Sequence, residues 1–118
     1  MSISVYVKSR IQEFVSNVET VSKPTGIANI IGNKGGVGVG MKIKETSFCF
    51  ISSHLAARPG RAALRKANFY DIMKNVRPCT KKFEPTAAFD YFFFIGDTNF
   101  RIDCKSYLIL YLAELPFI

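Results

Sequence analysis

In Phe92-Phe93-Phe94-Ile95-Gly96-Asp97-Thr98-Asn99-Phe100-Arg101 an aromatic run of strand character stops at a glycine. A carboxylate, an amide and a guanidinium follow at once. Buried strands read as continuous apolar runs, and the sites of open α/β sheets lie just past strand ends. The run therefore predicts a buried strand that carries Asp97 and Asn99 out of the core at its mouth, with Gly96 letting the backbone turn. Two apart in an extended chain, Asp97 and Asn99 face the same side. A carboxylate placed there can hold or polarise water or touch a metal, and an amide can donate to a charged oxygen. The plainer reading of the same residues is an Asx-turn that ends the strand.

Working outward, the chain has 118 residues, 48% hydrophobic and 14% aromatic, which is enough for one domain and too few for two. No apolar run is long enough to cross a membrane, and the N-terminus lacks the apolar block of a signal peptide. A net charge of +7, from 16 basic and 9 acidic residues, favours an anionic partner: a phosphorylated substrate, nucleic acid or an acidic membrane face. Cys49, Cys79 and Cys104 are odd in number and lack metal-ligand spacing. Cys49 lies in an apolar strand, where a free cysteine is a small buried hydrophobe. A reducing, cytoplasmic compartment follows as the simplest expectation.

Residues 2–7 alternate in the manner of a strand, with Ile3, Val5 and Val7 on one side. Residues 10–21 are ambiguous, and Pro24-Thr25-Gly26 ends them. From 37 to 43 the alternation is strict, with Val37, Val39, Met41 and Ile43 on one face and Gly38, Gly40 and Lys42 on the other. After a polar turn at 44–46, residues 47–51 form a second strand, an antiparallel partner of the first, which runs out at His54. Residues 61–76 fit an amphipathic helix imperfectly and stop at Pro78. Lys81, Lys82 and Pro85 belong to a solvated loop, and residues 107–118 form an apolar tail. No repeat or linker is visible.

Gly32 to Gly40 does not make a P-loop, because Lys34 precedes Gly35 and a strand follows where a helix is required. Gly38 and Gly40 read as positions where another group packs close to the strand. Asn33-Lys34-Gly35-Gly36 reads as a loop of exposed amides with one lysine, suited to an anion. His54, the single histidine, ends its strand, and a lone histidine is more often structural than catalytic. Two strand mouths, one with His54 and one with Asp97 and Asn99, would make a site if they converge.

Gly32-Asn33-Lys34-Gly35-Gly36-Val37, Ser53-His54-Leu55-Ala56-Ala57 and Gly96-Asp97-Thr98-Asn99-Phe100-Arg101, in this order and spacing, resemble the inositol polyphosphate 5-phosphatases of the DNase I-like endonuclease/exonuclease/phosphatase superfamily. Residues 65–72 resemble that family's arginine-led helix. The resemblance runs from Val5 to about Asp103. It implies an α/β (α+β) fold, a fragment of a DNase I-like four-layer sandwich of mixed, mostly antiparallel sheets flanked by helices. It also implies Mg²⁺-dependent hydrolysis of the 5-phosphate of phosphoinositides, such as phosphatidylinositol 4,5-bisphosphate, or of soluble inositol polyphosphates. On that basis Asp97 orients or deprotonates the attacking water, Asn99 holds phosphoryl oxygens and His54 stabilises charge on the scissile phosphate. Lys34, Arg101 and Asn33 are the substrate-binding candidates.

Phe94 and Thr98 stand where the family usually has tryptophan and leucine, and Asn68 where aspartate is common. The family's metal-binding glutamate is expected upstream of this chain. Register from the glycine loop puts Val5-Tyr6-Val7 just after it, so Gln12-Glu13 is a decoy. The family's downstream Trp-Cys-Asp-Arg motif and final Asp-His pair are also absent, so residues 1–118 read as the central part of a catalytic domain with little activity alone. The expected partners are a phosphoinositide headgroup or soluble inositol polyphosphate, with peripheral contact at the cytosolic face of an anionic membrane. The rival readings are another DNase I-like phosphodiesterase, of nuclease or sphingomyelinase type, and a non-catalytic basic binding module. Nucleic acid is the weakest partner, since most of the 11 phenylalanines fall in apolar runs suited to a core.

Overall fold

The computed structural model describes residues 1–25 and 34–100. Among them, four strands form one sheet in chain order. They are β1 (Val15–Pro24), β2 (Gly35–Ile43), β3 (Thr46–His54) and β4 (Tyr91–Asp97). The β1–β2 and β2–β3 pairs are antiparallel, and β3–β4 is parallel. Lys44 and Glu45 make the tight β2–β3 turn, with Lys44 in the left-handed region at φ 54°. A parallel pair needs a longer crossover, and α1 (Ala62–Asn75) lies within it. β1 was unreadable by periodicity for a visible reason. It is an edge strand, mostly exposed, and its register slips between Ser16 and Glu19.

The core lies between the sheet and α1. Cys49 and Ile51 of β3 meet Leu55, Ile72, Met73 and Val76, and Val21, Phe69, Phe89, Phe92 and Phe94 pack around them. Glycines on the same face of β2 let the crossover sit directly on the backbone. A Cβ on Gly36 would come within 2.6 Å of Ile72, and one on Gly38 within 2.5 Å of Val76. At Gly40 it would meet Cys79, Pro78 and Phe89 at 3.0–3.1 Å. Gly38 and Gly40 are the close-approach positions the strand pattern suggested, whereas Gly35 and Gly36, expected in a loop of exposed amides, are buried and open β2 because Ile72 packs onto the strand there.

On α1 the buried residues are Arg65, Asn68, Ile72 and Met73, one face of the helix. Two of those four are polar, which is why the apolar periodicity read imperfectly. Three other expectations need correction. Residues 2–7 are not in a sheet; Ile3, Val5 and Val7 are half-buried while their neighbours are exposed, so the alternation marks an extended segment without a strand partner. It leads to a 3₁₀ turn, Ser9–Phe14. The segment at Pro85 is not all loop, because Pro85–Ala88 forms a short helix, α2, with proline in its first turn, where the missing N–H costs nothing. Finally, β4 is covered on one face only. Phe92 and Phe94 join the core, whereas Tyr91, Phe93 and Ile95 are 43–53% exposed. The tail at 107–118 and Cys104 lie outside the described residues.

Candidate active site

The parallel pairing of β3 and β4 sets His54 directly beside Asp97. The two strand mouths therefore converge, with His54 Nε2 3.5 Å from Asp97 Oδ2. Gly96 makes this register possible. It has φ +109°, and any Cβ there would collide with the Ser53 backbone on the neighbouring strand. Lys34, one residue before β2, brings its ammonium 2.6 Å from the same His54 Nε2. An ammonium can only donate, so in that contact Nε2 is the acceptor. A carboxylate, an imidazole and a cation thus share one small region, with Asp97 62% exposed and open to water.

Asn99 is placed differently from the extended-chain expectation. Its backbone is left-handed at φ 52°, and its N–H donates to Asp97 Oδ1 at 3.0 Å, the Asx-turn geometry. The Asn99 side chain then reaches the residue just past the end of β3, where Nδ2 donates to the Leu55 carbonyl at 3.1 Å. The plainer role of these residues and the proximity of Asp97 to His54 coexist. One Asp97 oxygen caps the turn while the other faces the histidine. The second N–H of the Asn99 amide makes no hydrogen bond among the described residues.

The loop after His54 is held by backbone contacts on every side. The Leu55 N–H donates to the Asp97 carbonyl at 2.9 Å, and the Ala56 N–H donates to Asn68 Oδ1 at 3.2 Å. Arg65 donates from one guanidinium nitrogen to the carbonyls of Ala56 and Arg58, at 3.4 and 3.0 Å, and lies 5.6 Å from the Phe100 ring centre. Arg65 is only 4% exposed, so this charge is kept in the interior by carbonyl acceptors and an aromatic face. Sequence reading noted the arginine-led helix but not its task. The visible signal was a pair of polar residues three apart on the buried face. Asn68 accepts from the Ala56 N–H, which an aspartate there could do equally well.

Asn33 and Arg101 lie outside the described residues. Glu13, set aside as a decoy, falls in the 3₁₀ turn and makes no ion pair with His54 among the described residues. Magnesium takes several oxygen ligands in near-octahedral geometry. Among the described residues no group of three or more His, Cys, Asp or Glu could hold a metal, and Asp97 is the single carboxylate beside His54. The described residues alone therefore do not fit a magnesium site.

The family model for endonuclease/exonuclease/phosphatase family 2 matches residues 1–113. The chain belongs to that family. It is 35% identical over 121 residues to the human phosphatidylinositol 3,4,5-trisphosphate 5-phosphatase 2, covering 99% of this chain and 10% of that protein. It is 38% identical over 107 residues to the type 1 enzyme of Xenopus laevis, covering 88% of this chain and 10% of that protein. The chain thus spans about a tenth of the length of these relatives. The solved inositol polyphosphate 5-phosphatase domain of SpSynaptojanin, in complex with inositol (1,4)-bisphosphate and calcium ion, superposes with a TM-score of 0.72. There the identity is 29%, over 88% of this chain and 29% of that one. The fold is the mixed α/β fold of that domain, as the three sequence motifs implied. No described helix is long and apolar enough to cross a membrane.

Proposed function

We propose that these residues form part of the site that hydrolyses the 5-phosphate of a phosphoinositide or soluble inositol polyphosphate. The observation that carries this reading is the meeting of Lys34, His54 and Asp97 at adjoining strand ends. Support also comes from relatives named as phosphatidylinositol trisphosphate 5-phosphatases. Phosphoryl transfer needs in-line positioning and neutralisation of charge more than covalent help. Asp97 Oδ2 is accessible and takes the proton of an attacking water or orients it. The free N–H of Asn99 donates to a phosphoryl oxygen. Lys34 neutralises charge on the scissile phosphate once its ammonium leaves Nε2, and the freed His54 imidazole turns a ring N–H toward the same oxygens. Asn33 and Arg101, flanking the same motifs in sequence, supply further donors.

Magnesium is the cofactor in this reading, and its main carboxylate ligand comes from outside residues 1–118. A bound divalent ion would neutralise phosphoryl charge. The chain by itself accordingly releases little phosphate. The location is cytoplasmic, at the cytosolic face of phosphoinositide-bearing membranes.

The test places residues 1–113 in the human relative in place of the segment they match, and measures phosphate release from phosphatidylinositol 4,5-bisphosphate. The folded graft is expected to be active, to lose activity with a chelator and to fall by roughly 10²–10⁴-fold with Asp97→Ala. A folded graft that is inactive, or one indifferent to Asp97→Ala, would sink the reading. A preference for a phosphodiester substrate would favour the nuclease-like alternative.

A further inference from the structure

Cys49 and Cys79 meet across Gly40. Gly40 of β2 lies directly opposite Cys49 of β3, so the two positions face the same side of the sheet with Cβ sites roughly 4.5–5.5 Å apart. The Cys79 sulfur rests on that glycine, 3.0 Å from where a Cβ would stand. It is close enough to Cys49 for its charge to raise that thiol. Both cysteines are free, and neither takes part in the chemistry at His54 and Asp97.

Cys79 is held in place from two sides. It follows the fully buried Pro78 and sits in the left-handed region at φ 60°. Its N–H donates to Glu19 Oε2 at 2.8 Å, and its Sγ–H donates to the Asn17 carbonyl at 3.0 Å. Asn17, itself left-handed at φ 51°, lies within the register slip of β1, so the irregular edge strand is shaped around this cysteine. A thiol is a weak donor, and little holds the sulfur against rotation about its Cα–Cβ bond. The two differ in access. Cys79 is exposed and lines a cavity of about 300 Å³ with Asn17, Met41 and Phe89, whereas Cys49 is 0% exposed.

We propose that these two residues are an oxidation site, in which a peroxide converts the exposed Cys79 thiol to a sulfenic acid and the buried Cys49 thiol closes it to a disulfide. In the first step the Cys79 sulfur attacks a peroxide oxygen, the O–O bond breaks and, with hydrogen peroxide, water leaves. The Cys49 sulfur then attacks the Cys79 sulfur, the S–O bond breaks and a second water leaves with the thiol proton. Two thiols lose two electrons and one peroxide gains them. A thiol reductant reopens the bond by exchange. Once closed, it staples the chain after α1 to β3. Burial pushes Cys49 up to about 12, and partial burial with the Glu19 carboxylate raises Cys79 as well. Of the other charged groups around the cavity, Glu45 and Asp90 outnumber Lys42. The thiolate is the reacting form, so the pair responds slowly near neutral pH and faster in base.

The test exposes the 118-residue chain to hydrogen peroxide at submicromolar protein concentration, with Cys104→Ser so that these two thiols react alone. Intact mass should fall by the two hydrogens lost, a non-reducing digest should join the Cys49 and Cys79 peptides, and dithiothreitol should restore both thiols. The rate should rise roughly tenfold from pH 7 to 8. The oxidised chain should need more urea to unfold than the reduced one, because the bond closes a loop of the unfolded chain. Cys49→Ala should leave Cys79 to gain oxygen as a sulfinic acid, and Cys79→Ser should leave Cys49 unoxidised. Oxygen gained at Cys79 while the Cys49 thiol stays free, or a bond joining Cys79 residues of two chains, would overturn the pair. So would the absence of any reaction, or linkage that forms only in urea, where the folded geometry is lost.

Discussion

Gly96 and Gly60 both have positive φ, yet substitution at the two should differ. At Gly96, φ is +109° and a Cβ would strike the carbonyl and N–H of Ser53, backbone atoms fixed by the β3–β4 ladder. Gly60, at φ +72°, has nothing within 4 Å. Gly96→Ala is expected to cost about 2–3 kcal/mol and to move His54 away from Asp97, whereas Gly60→Ala should cost about 1 kcal/mol. Urea unfolding of both variants checks this, and equal losses would contradict the steric account. Arg65 offers a second contrast. Replacing it with Met keeps much of the stem but strips the Ala56 and Arg58 carbonyls of their charged donor. The expected loss is about 2 kcal/mol, with the loop after His54 exchanging its amides faster. The Asp97 position shows what residue-scale reading could do. The types and order of Asp97 and Asn99 pointed to a turn and to a reactive pair. Which one applied was not decidable, because the turn is made by the Asn99 N–H bonding Asp97 Oδ1, and asparagine enters the left-handed region readily but not always, so residue types alone do not say whether that bond forms.

At the scale of elements, the β2 glycines and the helix they seat make one unit. Gly38→Ala pushes a methyl into Val76, itself fully buried, and overpacking of that kind typically costs about 1–3 kcal/mol. The loss should shrink when Val76 is also trimmed to Ala, a coupling that a double-mutant cycle in urea would detect. β2 and β3 were legible because their period-2 pattern reports burial of two faces. α1 was legible in extent, and its imperfect stripe carried information, since the polar residues on the buried face bind a loop. β1, α2 and the unpaired N-terminal segment were not legible. Exposed edge strands and one-turn helices bury too few side chains to leave a pattern, and an extended segment alternates whether or not it pairs. Cys49 adds a pH dependence to the same unit. Burial pushes its thiol up to about 12, with neighbouring Cys79 adding to the effect. In the unfolded chain the thiol ionises near 9, so between 9 and 12 the unfolded state sheds a proton that the folded state keeps. Stability should therefore fall across that window, and less so in Cys49→Val. Urea midpoints at pH 8 and 10.5 would show it, and an identical decline in both proteins would exclude Cys49 as the cause.

For the whole molecule, the sheet's two faces differ in what covers them. One carries α1 and the core. On the other, Phe48, Phe50, Tyr91 and Phe93 stack in pairs with ring centres 5.0–6.4 Å apart, and Tyr91, Phe93 and Ile95 remain about half exposed. Only part of that face, around Met41, Ile43, Phe48 and Phe50, lies beside Val5, Val7 and Ile11. His54 and Asp97 belong to this same face, so the site sits at the rim of the aromatic surface rather than over the helix. β4 is also a sheet edge among the described residues, and residues 91–95 are uncharged, aromatic or aliphatic and strong in β-propensity. A stretch with those properties on an open edge templates pairing with other chains. The 118-residue chain is therefore expected to bind a hydrophobic dye such as ANS in its native state and to aggregate at micromolar concentration. Phe93→Lys adds a charge to the open face without touching the core on the other side, and should lower both dye binding and aggregation while costing no more than about 1 kcal/mol in stability. Phe94→Lys, one residue on and facing Phe69 at 5.1 Å, should instead unfold the domain. Dye fluorescence and light scattering across the two variants would distinguish the faces. If Phe93→Lys proved as disruptive as Phe94→Lys, the face carrying His54 and Asp97 would have to be covered rather than open.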